Sequence, residues 1–438
     1  MLTQLSIIAL LIAALPLSIV WVSNDANKYR KLILVTAFLT FDLIMFGAFT
    51  RLTDSGLGCP DWPGCYGEAN PFSAQADIHA AQTAMPHGPV THFKAWVEMI
   101  HRYLAMAVGV LIMAQMIIAW IRRKQFDGAP VFATVLFLFV CVQGAFGMWT
   151  VTLKLQPVIV TIHLILGMGL LAMLVWMFER TRLTPSPVSR ERVGERTVAP
   201  LRPLIKLRFF NKSNTKQRYS RFHEPSPQPR YKTLWAQETD PCKGSSFRRR
   251  SACTAKPLLH PAKREREQNL TWPARIAWLI LLIQIALGGW VSTNYAVLAC
   301  TDYPLCQGAF IPPMDFEHGF SLWRELGMTV HGEYLSFAAL TAIHWVHRNF
   351  AWLVVISSGY VAIQALKLAD KMADLSNIAK AILVVLLVQF GTGLANILFN
   401  WPLAIAVLHN GGAALLLALL TVLNSRVQRP AEMCRKLP

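Results

Sequence analysis

Nine runs of mostly apolar residues punctuate this 438-residue chain, at about 1–22, 32–49, 93–120, 131–150, 157–178, 273–293, 335–366, 378–398 and 402–424. Each is close to the length of about 20 residues that a helix needs to cross a bilayer. With 54% hydrophobic and 15% charged residues overall, the expected fold class is all-α, a polytopic membrane protein. The first run contains no charged residue. It lacks the basic start and small-residue cleavage site of a signal peptide, so it reads as a retained helix.

The formal charge of +18 would suggest nucleic acid if it were spread over the chain. Residues 180–268 hold 22 Lys or Arg against 7 Asp or Glu, so most of the excess lies in one hydrophilic segment. Rich in Arg, Ser and Pro and without an apolar period, the stretch 181–270 is expected to be a disordered, basic cytoplasmic linker with no nucleic-acid partner. Its Arg248, Arg249 and Arg250 read as a solvated positive-inside face, and Cys242, Cys253 and His260 match no zinc spacing. Lys28, Arg30 and Lys31, then Arg122, Arg123 and Lys124, then this linker, Lys367 and Lys371, and finally Arg426, Arg429, Arg435 and Lys436 fall on one side of a nine-span topology. Because basic residues stay in the cytoplasm, the N-terminus is expected outside and the C-terminus inside.

A repeat organises the helices. Glu98-Met99-Ile100-His101-Arg102 returns as His344-Trp345-Val346-His347-Arg348, with the His-Arg pair displaced by 246 residues. The same offset carries His163 onto His409 and Gln143 onto Gln389. The expected architecture is two pseudo-symmetric four-helix transmembrane bundles plus one extra N-terminal transmembrane helix. Along the chain this gives the extra helix and a short cytoplasmic turn (1–31), a first half (32–180), the linker (181–270), a second half (271–425) and a cytoplasmic tail (426–438).

An ionisable residue within a membrane helix is expensive unless it is used. At 1.5 Å per residue, His101 and His163 lie about 13 and 10 Å from the outer ends of their helices, and His347 and His409 about 15 and 11 Å. Imidazoles facing one another at one depth in a bundle can hold an iron porphyrin from both sides. The expected pairs are His101 with His163 and His347 with His409. Glu98, one turn from His101, either handles protons beside the first porphyrin or pairs with Arg102 or Lys94. Its counterpart, His344, makes the two sites unequal. Arg102 and Arg348 suit porphyrin propionates or lipid headgroups equally. Cys59 with Cys65, and Cys300 with Cys306, flank matched loops facing an oxidising compartment, which suggests one disulfide per loop, as a staple or as redox-active thiols.

These features together resemble the heme A synthase family. The resemblance covers about 32–180 and 271–425. It rests on residues 49–65 with Cys59-Pro60-Asp61-Trp62-Pro63-Gly64-Cys65, on Glu98-Met99-Ile100-His101-Arg102, on Gln143-Gly144-Ala145-Phe146-Gly147, and on Gly288-Gly289-Trp290-Val291-Ser292-Thr293. It implies oxidation of a methyl group of heme O to a formyl group, giving heme A for cytochrome oxidase in a bacterial inner membrane. By the resemblance, His101 and His163 would hold substrate heme O, Glu98 would be catalytic, and His347 and His409 would hold heme b. Heme O synthase, oxidase assembly proteins and an electron donor would be partners, alongside membrane lipid. Small residues such as Gly167 and Gly169 leave packing within a chain or between copies of it open. The other readings are a di-heme electron-transfer cytochrome and a heme carrier or assembly factor.

Overall fold

The computed structural model describes residues 1–25, 27–86, 88–124, 128–181, 261–368 and 373–435, with the backbone alone for 261–269, 373–374 and 429–435. Most of the linker expected over 181–270 lies outside them, with its arginine run, Cys242, Cys253 and His260. The spanning helices are α1 (Leu2–Val22), α2 (Lys28–Leu52), α4 (His92–Ile121), α5 (Ala129–Thr152), α6 (Pro157–Thr181), α7 (Pro261–Thr293), α8 (Phe337–Lys367), α9 (Ala373–Leu398) and α10 (Leu403–Arg435). They are nine helices, among the described residues, long and apolar enough to cross a membrane. A shorter α3 (Gln75–Ala84) lies in the loop after α2.

Local chemistry sets the ends. Asn27 accepts from the Arg30 amide at 3.0 Å, Thr91 from Lys94 at 3.2 Å and Ser336 from Ala339 at 3.2 Å, satisfying donors that the first helical turn leaves open. Pro157 starts α6, where a missing amide costs nothing. The links from α5 to α6 and from α9 to α10 each carry two consecutive left-handed residues, Lys154-Leu155 and Asn400-Trp401. Each link closes on the helix before it, through Leu155 N–H to Thr150 O and Trp401 N–H to Asn396 O, both 2.8 Å.

In the first half α2, α4, α5 and α6 pack in a ring, α6 closing on α2, so α4 and α6 stand at opposite corners. In the second half α7, α8, α9 and α10 form the same ring, with α8 and α10 opposite. Helix α1 lies outside the first ring, against α4 and α2, and buries Leu5, Ala9, Ala13 and Val20 along one face. Lipid supplies no hydrophobic drive between helices, so close contact and buried hydrogen bonds must hold them. Gln115 of α4 donates to Thr36 of α2 at 2.7 Å, and Gly169 of α6 admits the ring of Phe139.

The rings join through α6 against α7 and α10, and through α2 against α10. Gly289 lets Thr161 and Leu164 approach, and Gly411 receives Met45. At the cysteine-loop end Arg51 donates to Ser292 O and Tyr295 OH to Asp54, each at 2.6 Å. Ser292 and Tyr295 lie 241 residues beyond Arg51 and Asp54, the offset that also relates Cys59 to Cys300. Both bonds therefore join a residue to its own counterpart and mark the pseudo-two-fold axis. At the opposite end Arg426 of α10 pairs with buried Glu179 of α6 at 3.0 Å.

Two segments are more helical than their sequence reading. Helix α7 begins at Pro261, inside the expected linker, and α10 continues to Arg435 through the expected tail. Lys263, Arg264, Glu265, Arg266, Glu267 and Gln268 are strong helix formers that extend a neighbouring apolar helix at little cost.

Candidate functional site

Each of the four histidines lies against a glycine on the adjacent helix of its ring. A Cβ at Gly47 would stand 3.0 Å from Nε2 of His101, and one at Gly147 3.2 Å from Cε1 of His163. At Gly288 it would stand 2.9 Å from Cε1 of His347, and at Gly393 3.1 Å from Cε1 of His409. No side chain separates these rings from the neighbouring backbone. His101 and His163 come from opposite corners of the first ring, and His347 and His409 from opposite corners of the second.

A second contact accompanies three of the four. Gln143 donates to the backbone carbonyl of His163 at 3.1 Å, Gln284 to that of His347 at 3.0 Å and Gln389 to that of His409 at 2.9 Å. Each glutamine lies one turn before the glycine that faces the same histidine, so the unit is Gln-x-x-x-Gly. Gln143 and Gln389 are visible from the 246-residue offset. Gln284 is not, because α2 and α7 are related by 241 residues, and only the third occurrence of the Gln-x-x-x-Gly spacing would have found it.

The donor set fits a porphyrin iron. Nδ1 of His163 and of His347 is buried without a hydrogen-bond partner, on the ring side turned to the adjacent glycine. The four imidazoles are only partly buried. Among the described residues no three His, Cys, Asp or Glu side chains are grouped to hold a bare metal ion, whereas opposed imidazole pairs match bis-histidine porphyrin ligation.

Above each pair sits one disulfide loop, Cys59–Cys65 or Cys300–Cys306. The loops repeat the same aspartate bonds. Asp61 accepts from the amides of Tyr66 (2.6 Å) and Gly67 (2.8 Å); Asp302 accepts from those of Gln307 (2.7 Å) and Gly308 (2.8 Å). The Gly308 amide, with that of Gln307, holds the exposed Asp302 carboxyl below its usual range. Arg102 donates to the carbonyls of Asp61 (2.9 Å), Pro63 (3.3 Å) and Gly64, and pairs with Glu98. Arg348 donates to the carbonyls of Asp302 (2.8 Å) and Leu305 (3.1 Å). Both guanidinium groups, read from sequence as candidates for propionates or headgroups, thus clamp the disulfide loops, although Nη1 of Arg348 remains buried without a partner.

Glu98 is 4% exposed and accepts from the Cys59 amide at 2.8 Å. His344, 3% exposed, accepts from the Cys300 amide through Nδ1 at 3.2 Å. The unlike pair therefore performs one structural task twice. Only Glu98 adds a carboxylate, in a buried ion pair with Arg102.

The family described as cytochrome oxidase assembly protein (COX15-CtaA) matches residues 30–208 and 247–421, most of the chain and both rings. The chain belongs to this family. The COX15-CtaA match leaves α1 outside it. Among curated relatives, a heme A synthase of Shewanella oneidensis is 30% identical over 393 residues, spanning 90% of this chain and 94% of the relative. Heme A synthases of Caulobacter vibrioides and Erythrobacter litoralis are 24% and 26% identical, covering 93% and 87% of this chain and 98% and 92% of their own lengths.

Proposed function

We propose that this protein is a heme A synthase that oxidises a methyl group of heme O to a formyl group. The observation that carries the reading is the duplicated pair of glycine-backed histidines in a chain that its relatives match over most of its length. The first ring takes heme O between His101 and His163, and the second holds heme b between His347 and His409. Two successive hydroxylations convert the methyl to a geminal diol, each a two-electron oxidation that requires an external oxidant and an oxygen atom from dioxygen or water, and the diol loses water to leave the aldehyde. The bound porphyrin iron supplies the redox chemistry. The chain's residues hold the macrocycle, exclude water and manage protons. Glu98 is the acid of the first site, one helical turn from His101 and paired with Arg102. Nη1 of Arg348 is the guanidinium nitrogen left to meet a propionate. The protein sits in a bacterial inner membrane with its cysteine loops outside and C-terminus inside, receives substrate from a heme O synthase and serves cytochrome oxidase assembly through an electron donor.

The matching roles of Glu98 and His344 at the two cysteine amides favour a second reading, an electron-transfer cytochrome with two equivalent hemes. One pair of variants separates them. Glu98→Ala is expected to keep heme b and stop heme A formation, whereas His347→Ala loses the heme b spectrum. Undiminished heme A from Glu98→Ala would remove the carboxylate from the reaction, and a bis-histidine spectrum intact in His347→Ala would break the assigned pairing.

A further inference from the structure

The glutamine that ties a histidine carbonyl to the next helix is present three times and missing once. The position 241 residues before Gln284 is Leu43, one turn before Gly47, the glycine that meets His101; its side chain packs against the apolar core and cannot donate. His101 is thus the one ligand candidate whose backbone lacks this tie, among the described residues. An independent feature singles out the same residue. Nε2 of His101 is the ring atom nearest its glycine, where the other three present Cε1. Its ring is turned differently against the adjacent helix, with Phe46 stacked at 6.4 Å between centroids.

We propose that Leu43 makes His101 the releasable iron ligand of the first site, and that Gln143, Gln284 and Gln389 lock the other three in place. The inference rests on the reading of the protein as a heme-binding synthase and adds which side of which heme opens. The tie holds the backbone of the helix that carries the histidine to its neighbour, so a backbone shift that would draw the imidazole off the iron must break an interhelical hydrogen bond in an apolar medium. An untied histidine meets no such cost, so its ligand-off population is larger, by on the order of tenfold for one such bond. A site that performs oxidation on its own heme requires a coordination position that can open, whereas a site that only passes electrons is served by two fixed imidazoles. The two bundles therefore differ at this position as well, with Leu43 in the first where Gln284 stands in the second.

The test uses the full-length protein, purified with its hemes, reduced, and titrated with carbon monoxide. Binding is read from the visible difference spectrum and divided by total heme from the pyridine adduct. Wild type is expected to bind carbon monoxide at the heme O site and not at the heme b site. Leu43→Gln should weaken that binding by on the order of tenfold at unchanged heme content, and Gln284→Leu should make the heme b site reactive. Leu43→Met, which adds no donor, should match wild type. Should Leu43→Gln fail to accumulate, Gln284→Leu decides alone. Full heme content with carbon monoxide binding unchanged in Gln284→Leu would overturn the proposal while leaving the synthase reading in place. A folded chain that takes up no heme would overturn that reading itself.

Discussion

At the scale of single residues, what makes the site is mostly an absence of side chains. Gly288 brings the α7 backbone against His347, so Gly288→Ala would put a methyl 2.9 Å from Cε1 and force the ring aside. Overpacking of this kind should weaken retention of heme b by about tenfold, measured as heme per protein after detergent washing. Gly109→Ala, with no atom within 4 Å of the added carbon, should leave retention unchanged. The loops add a pH argument. The Asp302 carboxyl is lowered in the folded protein, so its contribution is present above the unfolded value near pH 4 and is lost as pH falls through the folded value. Amide exchange at Gln307 and Gly308, corrected for intrinsic rate, is therefore expected to stay flat from pH 8 to about pH 5 and to rise in Asp302→Asn. Faster corrected exchange already at pH 6 would contradict that assignment.

At the scale of elements, the nine apolar runs fix the helices because membrane length leaves a helix few alternatives. The histidines stand out for the same reason, since ionisable groups in such runs are conspicuous. Their glycine partners and Gln284 were not legible. They sit on other helices, and the two halves are related by 241 residues before the outer loop and 246 after it, so one offset cannot align both. The short α3 was also missed. Its ten residues bury little beyond Ile78, leaving weak periodicity to detect. The clamp by Arg102 and Arg348 depends on carbonyls whose direction no side-chain pattern records. The joint between halves gives the prediction proper to this scale. Arg426→Leu removes the guanidinium paired with the buried Glu179 carboxylate and should destabilise the protein by about 3 kcal/mol in thermal unfolding. Adding Glu179→Leu should recover part of the loss, and a double variant no better than the single would argue that the pair does not act as a unit.

For the whole molecule, the pseudo-two-fold relation is carried by named bonds, Arg51 to Ser292 and Asp54 to Tyr295, where each residue meets its own repeat-mate. Duplication supplies two bundles of one design that differ at matched positions. Glu98 and His344 perform the same structural duty with different side chains, and Leu43 stands where Gln284 ties a histidine carbonyl, the two differences on which the proposed division of labour rests. Helix α1 lies outside the repeat and outside the family match, packed on α4 with Leu5 in the same buried cluster as Cys59 and Cys65.

The measurement that bears most directly on the synthase reading is the identity of the pigments the purified protein carries. Extraction into acidic solvent followed by chromatography with mass detection should yield heme b together with heme O, heme A or a singly hydroxylated form between them. Heme b alone, from cells that also overproduce heme O synthase, would contradict the account and leave a di-heme electron-transfer cytochrome.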